Sequence, residues 1–478
     1  MAVLLKSELL RRYGAALAAG SAALFIGAGV SQPSGFVNWR SLLKEIAEDL
    51  GLDIEKETDF VSLAQFHVNE RGGRAKINEI LIDEFTKTAV PNPNHREIAA
   101  LPISTIWTTN YDDLIERAFV EARKKPDVKT TTANLAQTIR DRDVVIYKMH
   151  GDRHQPQDAV LTREDYEIYN ETRGAFSIAL QGDLIEKTFL FLGFSFTDPN
   201  IDHILARIRA LVGKSQRDHF CIMKKPDFDP SNSAAARAEH EYVARKLELR
   251  ISDLGRYRIQ TILVDSYAEI PEILRALNQR SHLKDVFVSG SYVDASPWGG
   301  TRLEKFCRLL GYSLIKQSLN VTSGFGLGIG SSVSYGALNE IYSKQIDQHR
   351  IRLMPFPQVA PETEGRAELF SKHRETIVSQ TGFTIFISGN RQSKAGPVEN
   401  SPGVLEEFAI TTKMEKFPIP LGASGWSAMK IWEEVNADQE RYYGKIDVAD
   451  PLRILGESGL SDEEYLSAIL EIISRCSI

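Results

Sequence analysis

Short apolar runs recur along the first half of the chain, and each ends abruptly in glycine, hydroxyl or amide residues. Ala23-Leu24-Phe25-Ile26 breaks into Gly27-Ala28-Gly29-Val30-Ser31, the run at 103–108 into Thr109-Asn110, the run at 144–148 into Met149-His150-Gly151, and the run at 188–193 into Phe194-Ser195. A last run, 260–264, closes the set. Between them the apolar spacing changes to three and four residues, as at Leu42, Leu43, Ile46 and Leu50 within 39–52, or Ile77, Ile80, Leu81 and Phe85 within 60–88. Period-two or continuous apolar runs mark strands, and a spacing of three to four marks helices. The alternation predicts an α/β fold: a doubly wound, Rossmann-like parallel sheet, with 60–88 as a helical insertion, 1–19 as an amphipathic helix and 270–278 as a closing helix.

The pattern then restarts. Residues 279–284 are polar and read as a linker, giving domains at 1–280 and 281–478. Asp285-Val286-Phe287-Val288-Ser289-Gly290-Ser291 is again a strand running into a glycine and hydroxyl turn, followed by a helix at 301–310. The cluster Gly324-Phe325-Gly326-Leu327-Gly328-Ile329-Gly330, a strand at 384–389 and the helix start Ser401-Pro402-Gly403 complete a second Rossmann-like domain.

Composition narrows the function classes. The 478 residues are 42% hydrophobic and 25% charged, with a formal net charge of -7, which disfavours a nucleic-acid surface and leaves room for a local pocket for a small anion. Three scattered cysteines, Cys221, Cys307 and Cys476, offer no paired metal motif and point to a reducing, cytoplasmic setting without zinc. Lys6, Arg11 and Arg12 ahead of the small-residue run 14–30 imitate a secretion signal, but Glu8 and the glycine turn argue against it, and no stretch is long enough to span a membrane.

The candidate chemistry lies just after the predicted strands. Gly27 and Gly29 allow a sharp turn with backbone N–H groups free to cradle a phosphate, although Gln32 stands where a dinucleotide fingerprint has its third glycine. Asn110 and Asp112 serve equally as helix caps, His150 as a loop histidine, and Ser195 with Asp198 as a turn and cap. Occurring after successive strands, they converge on one sheet edge.

In that order, Gly27-Ala28-Gly29-Val30-Ser31, Asn110-x-Asp112, His150-Gly151 and Gly193-x-Ser195 resemble the motifs of sirtuins, and Leu161-Thr162 with Asp165-Tyr166 resemble their bacterial sirtuin-like branch. The resemblance implies NAD+ as substrate, with Gly27, Ala28, Gly29, Ser31, Gly193 and Ser195 around it. It further implies Asp112 at the nicotinamide carboxamide, Asn110 at the ribose or attacking water, and His150 as base. Two cysteine pairs and a Pro-x-Phe-Arg segment usual in deacylating sirtuins are absent, Val37-Asn38-Trp39-Arg40 standing in the latter place, which argues against protein deacylation. The second half resembles the SLOG superfamily of nucleotide-binding domains. The two together resemble the NAD-degrading effector family of Thoeris anti-phage systems. That resemblance implies a cyclic ADP-ribose isomer, made by a TIR-domain partner, bound at Ser289, Gly290, Arg374, Arg391 and Glu406, and a homotetramer or larger assembly. The alternatives are an NAD-dependent deacylase and a non-catalytic NAD or ADP-ribose sensor; a hydride-transferring oxidoreductase fits least.

Overall fold

A computed structural model describes residues 3–36, 39–196, 198–213, 216–227, 234–357, 365–393 and 396–477. Val37 and Asn38 of the segment above lie outside the described residues, as does Thr197. The chain divides into two compact units, Met1–Asn278 and Gln279–Ile478.

The first unit is built on a parallel sheet of β1 (Ala22–Ile26), β2 (Thr105–Thr108), β3 (Pro126–Lys129), β4 (Val144–Lys148), β5 (Thr188–Leu192), β6 (His219–Lys224) and β7 (Ile259–Val264) in the order β3-β4-β2-β1-β5-β6-β7. The alternation along β1 explains its central place: Ala22, Leu24 and Ile26 enter one core while Ala23 and Phe25 enter the core on the opposite face. A strand buried on both faces must be apolar throughout, and all five residues are buried. Beyond β1 the strand order reverses direction, which in open α/β sheets opens a crevice at the carboxyl ends. The register fixes what meets there. Ile26 pairs with Thr108 on one side and Leu192 on the other, and Thr108 pairs with Lys148, so the turns beginning at Gly27, Thr109, Met149 and Gly193 start in one row.

A third core of the unit, around Phe36, Leu43, Ile46, Leu63, Ile77 and Leu81, belongs to the helical insertion. The predicted helix over 39–52 is two, Trp39–Leu42 and Lys44–Asp49; the backbone leaves helical values at Leu43 (φ −94°, ψ 9°) while its side chain stays buried among the insertion's apolar residues. The amphipathic first helix spans Lys6–Ala18, and Val3 ahead of it bridges to Thr261 of β7. Strands β3 and β6 had no counterpart in the sequence pattern.

The second unit carries β8 (Asp285–Ser291), β9 (Asn320–Ser323), β10 (Ile351–Leu353), β11 (Phe383–Ser388) and β14 (Phe417–Leu421) in the parallel order β10-β9-β8-β11-β14, while β12 (Asn390–Gln392) and β13 (Val398–Asn400) form a separate antiparallel hairpin. Residues 279–281, read as linker, are the last residues of the helix Ile270–Ser281. The helix expected over 301–310 runs from Gly300 to Lys316 and packs against Ile329–Lys344 through glycines. A Cβ on Gly336 would stand 1.9 Å from the Arg308 carbonyl oxygen, and one on Gly311 would stand 2.1 Å from that of Val333. Gly336→Ala is therefore expected to lower the melting temperature: the helix-propensity gain of about 1 kcal/mol is outweighed by an overpacking cost of about 1–3 kcal/mol or more where only backbone can give way. Thermal unfolding followed by circular dichroism reads the difference.

Among the described residues, no helix is long and apolar enough to cross a membrane, and no group of three or more His, Cys, Asp or Glu is placed to hold a metal ion. The three cysteines are buried and unpaired.

Candidate active site

The row of turns at the carboxyl ends of β1, β2, β4 and β5 borders a cleft of about 780 Å³. Ala28, Gly29, Thr109, His150, Gly193, Phe194, Ser195 and Asp198 line its sheet side; Trp39, Phe60, Val61 and Ser62 come from the helical insertion. Of the sequence candidates, Ala28, Gly29, His150, Gly193 and Ser195 line the cleft; Gly27, Ser31 and Asn110 are buried next to lining residues, and Asp112 is buried outside the lining.

The turns pack backbone against backbone. Gly29 N–H donates to Gly193 O at 3.0 Å, and a Cβ on Gly27 would meet that same oxygen at 2.4 Å. Gly193 holds φ +60°, and a Cβ there would meet Val30 N at 2.6 Å. Gly27 thus serves the fit between two neighbouring turns.

His150 is buried, its ring set edge-on against Tyr166 and Tyr169 with centroids 5.7 and 6.4 Å away. Its Nε2 stands 3.1 Å from Oδ2 of Asp198 as a charge contact, and neither ring nitrogen has a well-directed hydrogen-bond partner in the protein. Asp198 does two jobs. Its Oδ1 accepts from the N–H groups of Asn200 and Ile201, capping the helix Pro199–Val212, while Oδ2 faces His150 and accepts from the Tyr166 hydroxyl at 3.1 Å. Burial pushes the Asp198 carboxyl up, but the His150 charge together with these donors outweighs it and holds the group below its ordinary value. In the sequence Asp198 reads only as a cap and Tyr166 only as part of a motif.

Asn110 is fixed from behind. Its backbone N–H donates to Thr108 Oγ1, and its Nδ2 donates to Gly27 O and Ser31 Oγ, each at 3.3 Å. Asp112 accepts from Leu114 N–H at 3.1 Å and from the Ser31 hydroxyl; burial raises its carboxyl against the opposing charge of Lys148. Lys148, itself fully buried at the end of β4, donates to the carbonyls of Tyr111 and Asp112 and pairs with Glu116 and Asp152, tying the Asn110 and His150 loops together. Lys148→Met leaves those acids buried without their cation, with an expected cost of about 3–5 kcal/mol. Burial already raises Glu116 and Asp112, so protonation relieves the defect. The deficit shrinks as pH falls toward the carboxylate range, which urea unfolding across pH reads directly.

In the second unit a smaller pocket of about 160 Å³ lies at the ends of β8 and β9, lined by Ser289, Gly290, Ser291, Arg374, Gly403 and Glu407 among others. Arg374 is mostly buried over the Phe356 ring at 5.0 Å; it donates to Glu406 Oε2 at 2.8 Å and lies 3.6 Å from Glu407 Oε1. Arg374 is thus a mostly buried, paired cation rather than a solvated surface charge. Glu407, which the sequence reading passed over, accepts from Ser289 Oγ at 2.5 Å, and burial pushes its carboxyl up to about 7. Helical spacing carried the signal: Val404, Glu407, Phe408 and Thr411 form the buried stripe of Pro402–Lys413. Arg391 sits on the exposed hairpin, paired with Glu399, outside this lining.

Residues 104–247 match the SIR2-like domain family, and residues 269–476 match the Sir2- and TIR-associating SLOG family. The NAD(+) hydrolase ThsA of Bacillus cereus (strain MSX-D12) is 44% identical over 463 residues, 96% of this chain and 95% of that protein. The chain belongs to the ThsA family. The Enterococcus faecium ThsA is 38% identical over 98% of this chain and 99% of its own length, so the ThsA resemblance embraces both units. Defense-associated sirtuin 2 of Bacillus subtilis is 30% identical, but over 43% of this chain and 21% of its own. In the ThsA family frame, the cleft lies in the SIR2-like half and the Arg374 pocket in the SLOG half.

Proposed function

We propose that this chain hydrolyses NAD+ to nicotinamide and ADP-ribose in the first-unit cleft. On this reading it acts as an anti-phage effector that depletes cellular NAD, and a cyclic ADP-ribose isomer taken up by the second-unit pocket switches it on. The observation that carries the reading is the buried His150 facing the cleft with Asp198 behind it, in a chain whose full-length relatives are named NAD(+) hydrolases.

The chemistry suits these groups. Nicotinamide leaves the cationic substrate as a neutral molecule, so no general acid is needed; the N-glycosidic bond breaks with its electron pair passing to the pyridine ring, and water adds to the oxocarbenium-like ribose. Asn110 orients that water or a ribose hydroxyl, His150 takes the proton released, and the Asp198 carboxylate stabilises the imidazolium that results. Gly27, Ala28, Gly29, Ser31, Asp112, Gly193 and Ser195 form the remainder of the proposed NAD+ site. In the second unit, Ser289, Gly290 and Arg374 are the proposed effector contacts lining the pocket, with Glu406 beside Arg374 and Arg391 reaching the ligand from the hairpin that follows β11. On the same reading a TIR-domain partner makes the effector, and the working form is a cytoplasmic homotetramer or larger.

The test is nicotinamide release from NAD+ by the purified full chain, with and without each cyclic ADP-ribose isomer. Effector-dependent release supports both assignments. Release only when an acylated peptide is added would replace hydrolysis by deacylation, and binding without any NAD+ loss would leave a sensor.

A further inference from the structure

Resting on the reading of Asn110 as the residue that orients the nucleophile, we infer that His95 is a positioning residue that fixes the orientation of the Asn110 amide through Ser31. The inference comes from proton bookkeeping in a buried network. His95 is fully buried on the helix Pro93–Ala100, whose cap Asn92 donates to Val30 O and Ser34 Oγ and so clamps that helix to the first glycine turn. The backbone N–H of Asn92 donates to His95 Nδ1 at 3.3 Å, so Nδ1 is the bare nitrogen and Nε2 carries the proton. Burial holds this imidazole down to about 4, keeping it neutral and its tautomer constant at neutral pH.

Nε2 lies 3.4 Å from Ser31 Oγ and donates to it. The same oxygen accepts from Asn110 Nδ2 at 3.3 Å, which occupies both of its lone pairs, and its own proton goes to the Asp112 carboxylate. The second proton of Asn110 Nδ2 goes to Gly27 O at 3.3 Å. Both amide protons are therefore spent inside the protein, and Oδ1 is left buried without a partner. A flipped amide would set Oδ1 against the Gly27 carbonyl oxygen, lone pair facing lone pair. The network selects the rotamer in which Asn110 presents an acceptor, and an acceptor is what a water or ribose O–H requires.

Five variants of the full chain test this, the Ser31→Ala background included. His95→Leu is expected to lower kcat for nicotinamide release by roughly tenfold or more with KM unchanged, the effect of one lost buried hydrogen bond on an oriented catalytic group. His95→Gln places an amide N–H where Nε2–H stood and should recover most of the rate; His95→Asn reaches only the Nδ1 position and should not. In a Ser31→Ala background, His95→Leu should add less than about twofold, because its influence passes through the missing hydroxyl. Fully additive losses, equal activity of the Gln and Asn variants, or a change in KM alone would overturn the inference. Should the unaltered chain release no nicotinamide with any isomer, the hydrolase reading fails by itself, and the relay is judged from crystal structures. Loss of the Asn110 Nδ2 contact to Gly27 O in His95→Leu upholds it, and an unmoved Asn110 overturns it.

Discussion

Replacing His150 by alanine is expected to cut nicotinamide release by about 10²–10⁴-fold, the range over which a positioned base contributes. Geometry sets this expectation. His150 is a cleft-lining side chain with both ring nitrogens free of well-directed protein partners, and its nearest charge is the Asp198 carboxylate, 3.1 Å from Nε2. The alanine variant also strands Asp198, whose carboxyl is held below its ordinary value by the His150 charge against burial. A depressed carboxylate stabilises the fold above its unfolded pKa and loses that contribution as pH falls through the folded value. The stability gap between the unaltered chain and His150→Ala should accordingly be open at neutral pH and close on acidification. His150→Gln separates the two effects: its amide N–H reaches Asp198, so stability should return while the rate stays low. Single-turnover nicotinamide release paired with urea unfolding of both variants reads the split, and a His150→Gln variant with near-normal rate would remove the histidine from the chemistry.

What the sequence disclosed depended on how polarity was used in the fold. Strands buried on both faces announced themselves, as at Ala22–Ile26 and in the Val144-Val145-Ile146 start of β4, because apolar residues fill both faces there. Strand β3 did not, since Asp127 and Lys129 are buried side by side and neutralise each other at 2.8 Å; a pair that cancels in space looks in sequence like a solvated loop. Strand β6 begins at His219, a buried histidine held down to about 4 and accepting from Phe189 N–H through Nδ1, again a polar residue satisfied inside the core. The site followed the same rule. Residues just past strand ends were legible from their order, whereas Asp198 was legible only as a cap, because its second oxygen finds His150 through the fold and not through the chain. Arg391 and Glu407 show the converse. A cation near the right strand end lies on a hairpin outside the pocket, while the glutamate that enters the pocket was marked only by helical phase.

Arg374→Ala should raise the effector concentration for half-activation by on the order of 10²–10³-fold while leaving the maximal rate intact, since truncating one partner of a buried charge pair costs about 2–5 kcal/mol and each 1.4 kcal/mol is tenfold. The guanidinium sits over Phe356 and is shared between Glu406 and Glu407, so a pyrophosphate entering the pocket competes with two carboxylates for one cation. Arg374→Lys should restore little, because an ammonium cannot offer the planar fork to two acceptors at once. The neighbouring Glu407 gives the same experiment a pH axis. With its carboxyl pushed up to about 7, acidification through neutrality removes a negative charge beside the incoming anion, and effector affinity should rise as pH falls. In Glu407→Gln that slope should flatten, and in Arg374→Ala it should move to higher pH, because the lost cation had been opposing the rise caused by burial. Calorimetric titration of each variant with the activating isomer at several pH values measures affinity and slope together. An unchanged affinity in Arg374→Ala would place the anion's partner elsewhere and release Arg374 to a purely structural role beneath the helix Pro402–Lys413.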